Sequence, residues 1–318
     1  MPNTTFPRDA LVTACFLSLG IALAAQARAQ TTPQIFAPGV VSGPSNDADA
    51  AFTPDGRSVV FSRDGALMTS QKTGNTWSRP RIAPFSGEWM DLQPTMSPDG
   101  RFLIFVSNRP LNSSDTSHPR GNLWRVARHG EAWGAPEHLP ATVNADQSIW
   151  GPSIAADGTL YFMRRADPKM PWHLWMSRYA DGTYQVATEL TFADPTAQNV
   201  DPTVAPDQSF IVFSSKHPAA DAHEHLYIAF RDGDHWQAPV DLGAGINGDG
   251  SHDVNESRLG PDGETLYFTT DLTLPVHYPR TPAQAKADQA RIAAWDNGDT
   301  NIWSVSLKPW LSGRGKRQ

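Results

Sequence analysis

Ser97-Pro98-Asp99-Gly100 is followed after one residue by the apolar run Phe102-Leu103-Ile104-Phe105-Val106-Ser107. Proline presets the first turn position, aspartate can hydrogen-bond its own backbone, and glycine accepts a positive φ, so the first four residues predict a tight hairpin turn. The run after them is apolar on both alternating faces, which is typical of a strand covered on both sides of its sheet. The stretch therefore predicts a hairpin inside a layered β structure.

The same unit occurs five times, about 45 to 58 residues apart. Its turns lie at Pro54-Asp55-Gly56, Pro98-Asp99-Gly100, Ala156-Asp157-Gly158, Pro206-Asp207-Gln208 and Pro261-Asp262-Gly263. Second strands are predicted after the turns, at residues 58–62, 102–107, 159–163, 210–214 and 265–269. A third strand and an outer fourth strand complete the unit, and the fourth usually contains a proline, which edge strands tolerate. Gln208 replaces the turn glycine and predicts a strained or different turn there.

Five such units predict an all-β chain folded as one β-propeller with five four-stranded blades; six blades are the alternative, although no sixth turn is present. The fifth unit lacks a fourth strand, and residues 35–40 have the character of one. We therefore expect residues 35–40 to pair with residues 301–305 and to close the ring. Residues 281–298 predict one helical insertion in blade five, capped by Thr281 and ended by Gly298, which is either a lid or a packing helix.

The amino terminus predicts export. Arg8, the apolar residues 10–25 and Ala27-Arg28-Ala29 form a signal-peptide pattern with cleavage after Ala29, whereas Val12-Thr13-Ala14-Cys15 resembles a lipoprotein box and is the alternative. We expect residues 1–29 to be removed, residues 30–310 to form the propeller and residues 311–318 to be a basic tail. A periplasmic or secreted location follows, without a membrane span in the mature chain.

Several functions are disfavoured by composition. The formal net charge is −7, which argues against a nucleic-acid partner. The one cysteine lies in the predicted signal peptide, so thiol chemistry is not expected. Neither a Gly-x-Ser-x-Gly elbow, a phosphate-binding glycine loop nor a His-Glu-x-x-His motif is present.

The repeat resembles that of the WD40-like (PD40) propeller proteins of TolB type. Ser97-Pro98-Asp99-Gly100 with Phe105-Val106-Ser107-Asn108-Arg109-Pro110 is the nearest copy, and the resemblance covers residues 33–307. It implies a propeller fold in an exported protein. Similar repeats occur in translocation scaffolds, peptidase domains and sugar lyases, so the resemblance implies no single activity.

Charged residues predict a polar site at the channel end opposite the Pro-Asp-Gly turns, where the longer connections also lie. Acids stand at or near the starts of four first strands: Asp49, Asp91, Asp201, and Asp253 with Glu256. Bases end four second strands: Arg63, Arg109, Arg164 or Arg165, and Lys216. These groups either pair with one another or bind a polar ligand. In the second case Arg109 is expected to bind an anionic group of the ligand.

Tryptophans divide into two sets. Those at repeat positions are expected in the core: Trp77, Trp124, Trp133, Trp175, Trp236 and Trp303. Those near the predicted site are Trp89, Trp150, Trp172 and Trp295, which either hold a sugar ring or fill the gap beneath their own loops. The predicted ligand-binding set is Asp49, Asp91, Arg109, Trp150, Arg165, Asp201, Asp253 and Glu256.

Three functions remain open. The first is a non-catalytic binding or scaffold propeller whose partners are a glycan, a peptide, another polar small molecule or envelope proteins. The second is a glycan-active hydrolase or lyase that uses Asp49, Asp201 and Glu256; five-bladed glycosidases use three acids at the channel mouth, but their local motifs are not matched here. The third is a docking module that uses the blade sides.

No cofactor is predicted. His223-Glu224-His225, with Asp221 and His217, is a weak zinc pattern without a defined third ligand. Calcium bound by Asp49, Asp91 and Asp201 is the alternative, although no calcium-loop consensus is present.

Overall fold

The computed structural model describes residues 32–111, 121–145, 148–165, 167, 169–192, 194–216 and 223–312. The predicted signal peptide with Cys15, residues 313–318 of the basic tail, His217 and Asp221 lie outside the described residues.

Five antiparallel sheets stand around a central axis and form a five-bladed β-propeller, as the repeats predict. The first strand of each blade contacts the first strands of the two neighbouring blades, so these strands line a closed central channel. Each blade continues outward through its second, third and outer strands.

Blades 1, 2 and 3 follow one another along the chain. After β1 (Gln34–Ile35), blade 1 contains β2 (Asp47–Phe52), β3 (Ser58–Arg63), β4 (Ala66–Thr73), β5 (Thr76–Trp77) and β6 (Arg81–Ile82). Blade 2 contains β7 (Asp91–Met96), β8 (Phe102–Ser107), β9 (Asn122–His129) and β10 (Ala132–His138). Blade 3 contains β11 (Ile149–Ile154), β12 (Leu160–Arg164), β13 (His173–Ser177), the hairpin β14 (Tyr179–Ala180) with β15 (Thr183–Tyr184), and β16 (Thr188–Glu189).

Blade 4 contains β17 (Gln198–Val204), β18 (Phe210–Lys216), β19 (His225–Asp232), β20 (His235–Trp236) and β21 (Val240–Asp241). The short helix α1 (Ala244–Asn247) leads to blade 5, which contains β22 (Val254–Leu259), β23 (Thr265–Thr270) and β24 (Asn301–Ser306). Helix α2 (Pro282–Ala294) lies between β23 and β24, and α3 (Lys308–Ser312) follows β24. Within the described residues, no helix has the length and apolar character needed to cross a membrane.

The ring closes through the amino-terminal strand, as predicted. β1 pairs antiparallel with β24, with Gln34 opposite Ser304 and Ile35 opposite Trp303. The paired strand is shorter than the predicted residues 35–40, because the backbone turns away at Ala37, whose φ is 44°. Phe36 packs edge-on against an aromatic ring of blade 1 and another of blade 5, Phe52 and Tyr267, and so joins the first and last blades.

The five hairpin turns share one geometry. The third turn residue donates its N–H back to the strand before the turn and has a positive φ in every copy: Gly56 (65°), Gly100 (71°), Gly158 (87°), Gln208 (58°) and Gly263 (66°). Gln208 therefore adopts a backbone conformation that favours glycine, so the predicted strain is present. The turn has the same hydrogen bond as the other four turns, so the alternative of a different turn is not observed. Its side chain accepts hydrogen bonds from Tyr161 (2.7 Å) and Arg231 (3.0 Å) and donates to Asp157 (2.8 Å), which links blades 3 and 4.

The apolar core lies between adjacent blades. The second strands are buried on both faces, and their phenylalanines are among the largest fully buried side chains: Phe61, Phe105, Phe162, Phe213 and Phe268. Of the six tryptophans expected in the core, Trp124 and Trp303 are buried, and the other four are partly buried against it. The blades are therefore held together by side-chain packing, as the two-faced apolar strands predict.

The predicted helical insertion is present as α2. Thr281 and Gln284 form a reciprocal capping box, and Pro282 occupies the first turn. The helix ends at Trp295 rather than at Gly298, and the Trp295 indole is buried edge-on against Trp303 at 6.0 Å. These contacts fit the packing-helix alternative rather than a lid.

Candidate functional site

Each first strand contains a β-bulge that points one residue into the channel. The register shifts once in each of the five first strands. The bulge residues have positive φ: Asp49 (58°), Gln93 (52°), Gly151 (59°), Asp201 (50°) and Glu256 (50°). Four of the five are not glycine, and such strain is retained where surrounding contacts enforce it, often at functional sites. We call these five residues the bulge ring.

Gln93 connects the bulge ring across the channel. Its side-chain N–H donates to Asp201 Oδ1 at 2.8 Å, and its side-chain oxygen accepts the Gly151 N–H at 2.8 Å. These bonds join residues of blades 2, 3 and 4 whose positions in sequence are far apart. Gln93 therefore connects three of the five residues of the bulge ring, namely Gln93, Gly151 and Asp201.

Arg258 supplies the positive charge of this layer. It occupies the repeat position that holds small residues in the other blades, namely Ala51, Thr95, Ser153 and Thr203. Its guanidinium forms an ion pair with Asp49 (2.9 Å) and donates to the carbonyl oxygens of Pro94 (2.9 Å) and Ser257 (2.7 Å). Arg258 is buried, with 3% exposure. Its contacts with Asp49 and Pro94 show that the side chain extends from blade 5 toward blades 1 and 2.

Three carboxyl groups share this arginine. Burial raises the pKa of Asp49 to about 6, although Arg258 opposes the rise. Burial, then the charges of neighbouring carboxylates, raises the pKa of Asp201 to about 7. The pKa of Glu256 lies well above its ordinary value for the same reasons, with Asp49 and Asp201 as the neighbouring acids. Within the described residues, Asp201 and Glu256 form no ion pair, so near neutral pH the cluster contains both ionised and protonated carboxyl groups.

Acids two residues earlier in blades 1 and 2 differ in their pairing, since each has an arginine of its own. Asp47 pairs with Arg63 at 2.6 Å, and Asp91 pairs with Arg109 at 2.8 Å. Burial raises the pKa of Asp47 to about 6 despite Arg63. These two pairs match the first of the two alternatives given for the charged residues, in which acids and bases pair with one another.

Arg109, predicted to grip an anionic ligand group, is engaged within the protein. Besides Asp91, its guanidinium donates to the Phe85 carbonyl at 3.2 Å and to Ser107 Oγ at 2.9 Å. It also lies over the rings of Phe105 and Trp124.

The remaining predicted residues lie apart from the bulge ring. Asp253 is exposed, 3.4 Å from His223, and Arg165 lies over the Trp172 ring at 4.3 Å. Trp150 packs on Gly121, where an added Cβ would approach the indole to 2.6 Å, so this tryptophan fills the space between blades 2 and 3. Of the eight predicted ligand-binding residues, the structure thus brings together Asp49, Asp201 and Glu256.

The histidine segment is occupied by internal contacts. His225 lies 3.5 Å from Asp241, and Glu224 accepts hydrogen bonds from Gln198 and Asn255. Among the described residues, no three His, Cys, Asp or Glu side chains are arranged to hold a metal ion.

A cavity of about 320 Å³ opens at the other end of the channel, among the Pro-Asp-Gly turns. Its wall includes the small residues of the Arg258 level, Ala51, Thr95, Ser153 and Thr203, and Arg258 itself. Since Arg258 also contacts Asp49 of the bulge ring, it lies between the ring and this cavity.

Gln93 and Arg258 were missed by the sequence analysis. A signal for the bulge ring exists, because each of its members lies six residues before the aspartate of its turn. Aligning the five repeats on that aspartate places Gln93 with the acids and Arg258 with four small residues. The long reach of Arg258 across the channel has no such signal.

Comparison with known proteins shows the fold alone. No protein-family profile matches the chain, and no curated protein matches it. Among solved structures, a putative TolB from Agrobacterium tumefaciens is 14% identical, with a TM-score of 0.51 over 83% of this chain and 91% of that chain. An α-L-arabinofuranosidase from Lactobacillus brevis is 13% identical, with a TM-score of 0.52 over 85% of this chain and 91% of that chain. The chain is a five-bladed β-propeller with a TolB-like fold.

Proposed function

We propose that this chain is a binding propeller that takes a hydroxyl-rich ligand, a glycan, at the channel end where the bulge ring lies. One observation carries the proposal: Asp49, Asp201 and Glu256 share a single arginine, whereas Asp47 and Asp91 each have their own. Buried acids that serve only the fold are normally paired one to one. Asp201 accepts hydrogen bonds from Gln93 and from the Glu256 backbone N–H, and Glu256 has a hydrogen bond with Thr269. Each carboxyl group has about four bonding positions, so positions remain for a ligand, and Glu256 is partly exposed.

The protonation state of the cluster favours a glycan over a cationic or anionic ligand. Burial raises the pKa of Asp49 to about 6 and that of Asp201 to about 7, and burial with the neighbouring acids also raises the pKa of Glu256, so the cluster keeps protons near neutral pH. A protonated carboxyl group donates one hydrogen bond and accepts others, as a sugar hydroxyl also does. An anion would face the remaining carboxylates, and a cation would meet Arg258.

Glycan-array binding tests the proposal. The wild-type protein is expected to bind a subset of neutral glycans, and Glu256→Gln is expected to lose about tenfold or more in signal, since a donor or acceptor is replaced at the contact. Asp234→Asn, an exposed acid on blade 4, is the matched control and should bind as the wild type does. Equal binding by Glu256→Gln, or no glycan bound by the folded wild type, contradicts the proposal.

A second candidate is glycan hydrolysis by the same residues. The observation that favours it is that three carboxyl groups lie around one arginine, because hydrolysis needs one ionised carboxylate and one protonated carboxylic acid near the same bond. Asp49, which forms the ion pair with Arg258, is the candidate base or nucleophile, and Glu256, whose pKa is raised by burial, is the candidate acid. The similar fold of an arabinofuranosidase makes aryl arabinofuranosides a reasonable first substrate.

Release of 4-nitrophenol from a panel of aryl glycosides, stopped with base, tests this candidate between pH 5 and 9. A hydrolase is expected to gain activity as pH rises through about 6, where Asp49 ionises. Because burial raises the pKa of Glu256, the candidate acid should keep its proton, and therefore its activity, at a higher pH than an ordinary glutamate would. Glu256→Gln should lower kcat/KM by about 100-fold or more. If glycans that bind on the array are not hydrolysed, the hydrolase candidate is contradicted and the binding proposal is unaffected.

Export to the periplasm is part of the proposal. It is supported by the sequence of residues 8–29, in which a basic residue, an apolar run and Ala27-Arg28-Ala29 follow in the order of a cleaved signal peptide. Membership of the PD40 repeat family is supported by the five turn triplets and the strands that follow them.

A further inference from the structure

A second concave surface, with a positive charge, lies on the turn face of the propeller. A groove of about 700 Å³ runs between blades 2 and 3, away from the bulge ring. One wall comes from the turn, β8 and β9 of blade 2, and the other comes from the Ala156-Asp157-Gly158 turn and the β14–β15 hairpin of blade 3. The groove shares no lining residue with the bulge ring and is distinct from the glycan site proposed above.

Arg125 is the central feature of the groove. Its guanidinium lies over the Phe102 ring at 4.2 Å, which holds the side chain in one orientation. Its charge also lies near Tyr184 on the opposite wall, whose pKa is raised to about 12 by burial against the opposing effect of Arg125. Arg125 therefore stands between the two walls rather than at the outer surface.

Arg125 has no counter-charge among the residues that the structure describes. Its Nε is shielded from solvent and has no hydrogen-bond acceptor in the described part of the chain. Glu137 is its cross-strand neighbour on β10 but is exposed and forms no ion pair with it. A rigid guanidinium with unused donors is a fit for an oxyanion, which accepts two parallel N–H bonds.

The other charged groups of the groove leave the balance positive. Asp99 pairs with Arg101 at 2.6 Å, and Asp157 accepts from Thr159 and Gln208. Arg128 also lines the groove and forms no ion pair within the described residues. Three arginines, Arg101, Arg125 and Arg128, and two aspartates, Asp99 and Asp157, line the groove, so its formal charge is +1 in a chain whose formal net charge is −7. This local excess of positive charge favours an anionic ligand.

Aromatic groups supply an apolar surface beside these charges. Tyr179 lines the groove and packs against Gly158, where an added Cβ would come within 3.1 Å of its Cβ. Tyr179 also contacts Tyr184 edge-on at 5.1 Å and remains 46% exposed. A ring face next to a guanidinium suits a ligand that carries its oxyanion on a small organic body, such as a sugar acid.

We propose that this groove binds an oxyanion carried by a sugar-sized molecule, with Arg125 as the principal contact and Tyr179 as the stacking surface. A carboxylate and a phosphate ester share the recognised chemistry. Binding should weaken as ionic strength rises, since it depends on charge at a solvent-accessible groove.

Isothermal titration with trigalacturonate and with glucose 6-phosphate tests the proposal and separates the two sources of the oxyanion; neutral galactotriose is the ligand control. Binding of at least one anionic probe is expected, and any binding of galactotriose should be unchanged by Arg125→Gln, because a neutral glycan is expected at the bulge ring. Arg125→Gln should weaken the affinity about tenfold or more, because a charge-assisted bidentate contact is lost. Arg57→Gln removes the same charge from an exposed site at the turn of blade 1 and should leave the affinity unchanged.

Thermal unfolding of Arg125→Gln shows whether a loss of binding comes from a loss of folding, and a second variant gives an independent test. Tyr179→Ala changes an exposed wall residue and should weaken the anionic probes without changing their salt dependence. The proposal is overturned if neither anionic probe binds the wild type, if Arg125→Gln binds as tightly as the wild type, or if Arg57→Gln weakens binding equally.

Discussion

Replacing Arg258 with methionine is expected to lower the free energy of unfolding by about 3–5 kcal/mol at pH 8, because it leaves buried carboxylates without their cation. At about 2–4 °C per kcal/mol, the fall in Tm should be near 10 °C. The loss should shrink at pH 5, where the carboxyl groups of Asp49, Asp201 and Glu256 are protonated and need less compensation. Denaturation followed by tryptophan fluorescence at both pH values measures the difference.

Two further variants separate charge from packing in this experiment. Arg258→Lys keeps the charge but loses the geometry that reaches the Pro94 and Ser257 carbonyls, so its destabilisation should depend less on pH. Arg101→Met removes an arginine that is 81% exposed in its ion pair and should change stability by less than about 1 kcal/mol. A loss for Arg258→Met that is equal at pH 5 and pH 8 would show that the three acids do not depend on Arg258.

Replacing Asp201 with asparagine is expected to stabilise the protein at pH 8 while removing ligand binding. The pKa of Asp201 rises from 3.8 in the unfolded chain to about 7 in the folded protein, so its contribution to stability is fully present below about pH 4 and is lost as pH rises through 7. Asparagine keeps the acceptor for Gln93 and has no charge to bury. The gain should be about 1–3 kcal/mol at pH 8 and near zero at pH 4.

Urea unfolding across this pH range, with Asp234→Asn as the exposed control, measures the effect. The control should follow the wild-type curve at every pH, since Asp234 is 90% exposed. A variant of Asp201 that is less stable than the wild type at pH 8 would mean that the carboxylate is fully compensated in the folded state. Gain of stability with loss of function is the pattern expected of a residue kept for binding rather than for folding.

The fold was predictable because its signals are local and repeated. Each Pro-Asp-Gly turn acts through the backbone preferences of its own residues, and five copies in one frame leave few architectures. Ring closure followed from the missing outer strand of blade 5. Only the length of that strand was wrong, since Ala37 turns the backbone away from the sheet.

The site was predictable only in part, because the bulges change which side chains face the channel. Asp91 and Asp201 both stand near the starts of first strands, yet Asp91 faces Arg109 while Asp201, at the bulge, faces the channel. A bulge inserts one residue and so reverses the alternation that sequence reasoning assumes. Only alignment of the five repeats on the turn aspartates locates the positive-φ residues, since a glutamine or an aspartate does not itself indicate positive φ. Packing decides the placement of Trp150.

A crystal structure of the protein with an array-positive glycan tests the central claim most directly. The account predicts sugar hydroxyls within hydrogen-bond distance of the Asp201 and Glu256 carboxyl groups, with the Arg258–Asp49 ion pair retained beneath them. A glycan bound elsewhere on the propeller, with these carboxyl groups contacting only protein atoms, would contradict it.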